Sequence, residues 1–169
     1  MTQITFGYSD TEDRIWLSIS TGMRFWLTRR LVAGFLPKVA DLLEKTVPGG
    51  DIPNALDPGQ RIALEHAEAM EDDPEGKPAM ELNKETRAPG QPAPSAPPRL
   101  LTSLSFSAKG EHCTLILLPD DPKGRITLKR LEFHRLLGAL VRSAHGARWQ
   151  LSGLPGWLRH EPPAARPNA

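Results

Sequence analysis

Arg24–Leu43 reads RFWLTRRLVAGFLPKVADLL, and its first four residues follow a different period from the rest. Phe25 and Leu27 alternate with Arg24 and Trp26, the two-residue repeat of a strand with one apolar face. After Thr28, a residue suited to capping a helix, Val32, Phe35, Leu36, Val39, Leu42 and Leu43 fall at helical spacing. A strand therefore passes directly into an amphipathic helix of about four turns. Pro37 lies inside that helix, where a proline costs ~3 kcal/mol, so a kink or a late start is expected there; Gly34 weakens the same turn.

Upstream, Ile4, Phe6 and Tyr8 alternate with polar or small residues. The turn-like SDTE follows, and then Ile15, Leu17 and Ile19 alternate with Arg14, Trp16, Ser18 and Ser20. Three antiparallel strands before the helix are expected. If their apolar sets share a face, Ile19 pairs with Phe25 and Leu17 with Leu27, which requires an odd loop around Gly22.

Arg125–Ala144, RITLKRLEFHRLLGALVRSA, repeats the switch. Leu104 and Phe106 take the places of Phe6 and Tyr8, and Cys113, Leu115 and Leu117 those of Ile15, Leu17 and Ile19. After a longer hairpin, PDDPKG, Ile126 and Leu128 replace Phe25 and Leu27, and Phe133, Leu136, Leu137, Leu140 and Val141 continue the helical frame. Identities are few: Arg24 with Arg125, Leu27 with Leu128, Arg29 with Arg130, Leu36 with Leu137. The expected fold is α+β, with two tandem βββα repeats forming one pseudo-two-fold domain in which antiparallel sheets pack with helices. One such unit alone makes only a marginal core. The repeats are placed at 1–45 and 99–152, with a linker at 46–98 and a tail at 153–169.

The 169 residues contain 14 Gly and 17 Pro, and the formal net charge of +1 is unevenly spread. Residues 46–98 carry ten acidic groups against four basic, which leaves the rest with 17 basic against ten acidic. This linker is long, acidic and Pro-rich, and its flanks VPGGDIPNALDPGQ and RAPGQPAPSAPPRL carry turn and polyproline signals. Between them a short helix is expected near 58–72, with Asp57 as cap, Pro58 at its first position, and Ile62, Ala63, His66, Ala67 and Met70 on one side. It reads as a solvated linker helix in preference to one docked on the basic body. The tail begins as a packed turn near Trp157.

Chemistry is sparse. His112 and Cys113 are strand neighbours whose side chains point to opposite faces, so Cys113 reads as a core residue. Glu132 with His134, and Glu65 with His66, have the wrong spacing to act together on one helix, and His134 and His145 read as solvated or helix-end residues. No P-loop, GxGxxG, GxSxG or HExxH string occurs. Hence no catalytic residue, cofactor or metal is assigned, and an enzyme is not expected. The single cysteine, the absence of a signal-peptide pattern and the absence of an apolar run near ~18 residues point to a cytoplasmic protein without a membrane span.

Binding is better supported. On the non-core face of the first sheet, Trp16 and Trp26 stand among Arg14 and Arg24, and the second sheet supplies Arg125 and Lys129 in the same sense. The competing expectation is that the other half of the molecule covers the two indoles.

The opening YSDTEDRIWLSIS followed by RFWLTRRL resembles an uncharacterised bacterial protein family with no established activity, so the resemblance lends no site residues. In topology, two sheet-then-helix repeats are similar to the Whirly and PUR-type single-strand-binding folds, which have four strands per repeat where this chain shows three. The expected function is a non-enzymatic macromolecular interaction module, a protein-binding adaptor with a protein partner. The alternative is a single-stranded nucleic-acid binder using the Trp/Arg face.

Overall fold

Alternating side chains decide the first layer. The computed structural model describes residues 3–71 and 97–159. Strands β1 (Ile4–Ser9), β2 (Arg14–Ile19) and β3 (Arg24–Leu27) form an antiparallel meander. Their inward residues Phe6, Ile15, Leu17, Ile19, Phe25 and Leu27 are all buried. Leu17 pairs with Phe25 and Ile15 with Leu27, two residues away from the expected register. The cause is a tighter hairpin: the Ile19 N–H donates to the Met23 carbonyl at 2.9 Å, and Gly22 takes φ 90° in the loop. A shift of two keeps every side chain on its expected face, because the pleat repeats every two residues.

The first sheet is not purely antiparallel. A two-residue strand, β4 (Arg99–Leu100), pairs parallel with β3, so Phe25 meets Arg99 and Trp26 meets Leu100. Chain beyond the insert thus completes the sheet begun before it.

The second sheet is β5 (Ser105–Lys109), β6 (His112–Ile116) and β7 (Arg125–Lys129), again an antiparallel meander. Leu115 pairs with Ile126 and Cys113 with Leu128. On the other side Phe106 pairs with Leu115 and Ala108 with Cys113, so Phe106 occupies the place expected for Leu104, which precedes the strand. Phe106 also stacks on Phe133, ring centroids 4.6 Å apart.

Helix α1 (Arg29–Lys45) starts where expected, with Thr28 Oγ1 accepting from the Leu31 N–H at 3.2 Å. It runs unbroken through Pro37, with no late start. Ala33, whose carbonyl loses its partner to the proline, is exposed, so water can serve it. Helix α3 (Arg130–Gly146) leads straight from β7 and is buried along most of its circumference, including the run Leu136–Val141.

That enclosure comes from helix α2 (Pro58–Glu71). Asp57 caps it reciprocally: its Oδ1 accepts from the Gln60 N–H at 3.0 Å, and its own N–H donates to Gln60 Oε1 at 3.2 Å. The expectation of a solvated linker helix fails here, because Ile62 and Ala69 are fully buried and α2 packs on both α3 and α1. Gly138 allows the approach: a Cβ there would lie 3.1 Å from Met70 Sδ. Buried residues from both sheets, all three helices and Trp149, Leu154 and Leu158 make one core. Asp13 ties its edge, accepting from Tyr8 Oη at 2.8 Å, Trp149 Nε1 at 3.0 Å and Arg29 at 3.0 Å. Most of the second proline-rich flank and the end of the tail lie outside the described residues.

Candidate functional site

The outward residues of the first sheet bring four of the expected binding residues together. Trp16 and Trp26 are direct cross-strand partners, and Arg24 faces Ser18 one step away. Gly7 lies opposite Trp16 on β1, and the indole rests on it so closely that a Cβ on Gly7 would fall 2.1 Å from Trp16 Cζ2. The Arg24 guanidinium stands over the same ring, 5.0 Å from its centroid. Arg14 lies on this face at the end of β2 and meets Glu12 at 3.7 Å. All four residues are half-buried, so the other half of the molecule does not bury the two indoles. Beside Trp26, Leu100 is 50% exposed.

Arg125 and Lys129 do not join this constellation. They project from β7, an edge strand of the second sheet, where both are exposed. Arg125 is opposite Ile116, and Lys129 is opposite His112.

Sequence reasoning missed a buried polar cluster between α2 and α3. Arg130, only 2% exposed, donates from Nε to Glu65 Oε1 at 2.7 Å and from its terminal nitrogens to Glu65 Oε2 at 3.0 Å, Thr46 Oγ1 at 3.3 Å and the Leu43 carbonyl at 3.3 Å. His134 is fully buried, which corrects its expected place in solvent. Its Nε2 stands 3.2 Å from Glu65 Oε2, close but out of line for a well-formed hydrogen bond. Its Nδ1 is 3.1 Å from Nδ1 of His66, so one of those two nitrogens carries the proton between them. Trp157 packs edge-on against both imidazoles.

The electrostatics follow from burial and pairing. Desolvation alone would raise the Glu65 carboxyl, but contacts from His134 and Arg130 outweigh it and hold it down to about 2. His66 is pushed down to about 4, chiefly by burial, with His134 and Arg142 adding to it. Burial pushes the Cys113 thiol up to about 11, so it is a poor nucleophile. Among the described residues no group of three or more His, Cys, Asp and Glu is arranged to hold a metal ion. Glu65 and its neighbours make an anchoring cluster: the carboxylate fixes a guanidinium that also closes the end of α1.

A signal for this cluster exists in the sequence. Arg130 and His134 are four apart on a helix that continues into the apolar run Leu136–Val141, which places two polar groups on one stripe beside it. Their partners on α2 carry no such mark.

No helix among the described residues is long and apolar enough to cross a membrane. No protein-family model matches the chain, and comparison with curated proteins and with solved structures returns no match to it.

Proposed function

We propose that the protein is a non-enzymatic interaction module that binds another protein through the outer face of its first sheet. The carrying observation is the cross-strand pair Trp16 and Trp26, half-covered, with Arg24 over one ring and half-exposed Leu100 alongside. Tryptophan and arginine supply a disproportionate share of binding energy at protein interfaces, and residues held on a sheet lose little freedom on docking.

The same reading takes the fold as two βββα repeats in a pseudo-two-fold domain. The pairing of Leu115 with Ile126 reproduces that of Leu17 with Phe25, and each long helix lies against the first strand of the other unit, α3 on β1 and α1 on β5. A cytoplasmic setting accords with one unpaired, buried cysteine.

A single-stranded nucleic-acid binder is the second reading, favoured by the guanidinium groups around the indoles. It ranks lower because Gly7 and Arg24 already engage the Trp16 ring, which leaves Trp26 as the stacking platform.

Affinity capture from a lysate tests the proposal. A specific protein recovered by the wild type and lost with Trp26→Ala and Arg24→Ala is the expected result. Equal recovery by those variants rejects the face as the site. Retention on single-stranded DNA that weakens with Trp26→Ala would put the second reading first.

A further inference from the structure

The outward face of the second sheet has a different chemistry. Cys113, Leu115 and Ile126 point into the core, so their strand neighbours point out. Pairing places Lys109, His112 and Lys129 in one cross-strand row, Ser107, Thr114 and Thr127 in the next, and Ser105, Ile116 and Arg125 in the third. The hydroxyls of Thr114 and Thr127 are 3.1 Å apart. Strands lie about 4.8 Å apart and rise about 3.4 Å per residue, so Lys109, Lys129 and Arg125 mark corners of a frame roughly 10 by roughly 14 Å.

The three rows contain no acidic residue. Lys109, Arg125 and Lys129 are exposed, and none makes an ion pair among the described residues. Glu132 Oε2 accepts from the Lys129 N–H at 2.9 Å at one corner, and a second acidic group at the rim is Glu111, in the turn between β5 and β6. It shares with Lys109, His112 and Thr114 an open depression of about 580 Å³. Lys109 and Lys129 flank His112 in one row, about 10 Å apart on the two edge strands, so positive charge borders the face on both sides. Lysines on the edge strands β5 and β7 also discourage strand addition, but that task requires neither a shared row nor hydroxyls beside it.

We infer that this face is a docking surface for the phosphodiester backbone of a nucleic acid, separate from the Trp/Arg face of the first sheet. Lysine, arginine, serine and threonine are the side chains that contact phosphates, and they position a strand without reading its sequence. The three rows contain no Trp, Tyr or Phe, and His112 supplies their one ring, so the face lacks the large aromatic anchors of a protein interface and an extended platform for bases. Binding here is therefore electrostatic, independent of sequence and sensitive to salt.

Fluorescence anisotropy of the full chain with a labelled mixed-sequence oligonucleotide, single-stranded and as duplex, tests this. Three phosphate contacts predict a slope of log affinity against log salt near −2 for the single strand, a loss of about 15-fold between about 50 and about 200 mM salt. Lys109→Glu combined with Lys129→Glu, both on exposed positions, should abolish binding while the circular dichroism spectrum and melting temperature stay unchanged. Arg24→Ala and Trp26→Ala should leave it intact. No binding at low salt overturns the inference. So does binding that survives the double reversal but is lost with Trp26→Ala, and so does capture on anionic phosphatidylserine vesicles when neither oligonucleotide binds.

Discussion

Glu65 and Arg130, 65 positions apart in the chain, form a two-pronged ion pair in the interior, with Nε to Oε1 at 2.7 Å and a terminal nitrogen to Oε2 at 3.0 Å. The planar guanidinium matches the carboxylate in a way that an ammonium would not. Its remaining donors reach Thr46 and the Leu43 carbonyl, so one side chain of α3 holds α2 and the end of α1 together. A helix from the acidic insert thereby becomes a structural layer of the body.

Arg130→Met should cost about 3–5 kcal/mol, because it strands the Glu65 carboxylate in a largely dry site. Glu65→Met should cost a similar amount for the converse reason. The double variant should recover much of the loss, since apolar groups of similar volume replace the pair without leaving a charge behind. Urea unfolding followed by far-ultraviolet circular dichroism supplies the three values. If the double variant is as unstable as the sum of the single ones, the pair is not acting as a unit.

Acid should weaken the fold in two stages. His66 is held at about 4 against an ordinary 6.5, so between those values the unfolded chain takes a proton that the folded one refuses, and stability falls as pH falls. Above 6.5 that contribution is fully present. Glu65 is held at about 2 against 4.5, so its contribution is complete above 4.5 and is lost as pH drops toward 2. Each stage has a maximal slope of about 1.4 kcal/mol per pH unit for one proton. The groups facing His66 are His134, Arg142 and Trp157. Urea midpoints measured from pH 8 to pH 3 should show both stages. His66→Phe, which keeps a ring against Trp157, should flatten the upper one alone. An unchanged upper stage in that variant would assign it to another group.

The alternation of Ile15, Leu17 and Ile19, and the helical spacing of Val32, Phe35, Leu36 and Val39, were legible because each reports one buried face of one element, and all of those side chains are buried. Hairpin register was legible only in parity, since a slip of two changes no face. The role of α2 was illegible for a stronger reason. Ile62 and Ala69 stand among charged neighbours, and the partner that buries Glu65 lies 65 residues downstream, a pairing that no local period encodes. The spacing of Arg14, Trp16, Arg24 and Trp26 placed these four on one face, while Arg125 and Lys129 belong to another sheet, and a period of two does not tell a covered sheet face from an open one.

Gly7 explains why the Trp16 face has its shape, and it offers a way to alter that face without touching an outward side chain. A Cβ at Gly7 would lie 2.1 Å from Trp16 Cζ2 and 2.3 Å from Cε2, closer than any real contact, so Gly7→Ala must lift the indole off the sheet. Overpacking of this kind costs about 1–3 kcal/mol, and the ring also leaves its place beneath the Arg24 guanidinium, worth about 0.5–1 kcal/mol at an exposed site. In a Trp16→Ala background the same Gly7→Ala change meets no ring and should add almost nothing. Thermal melts of the two single variants and the double variant measure that coupling. If Gly7→Ala costs the same with and without the indole, the strain lies in the β1 backbone and the close packing of ring on glycine does not shape the face. If the coupling is found, Gly7→Ala should also weaken partner capture as Trp26→Ala does, because the ring that borders Trp26 no longer lies flat.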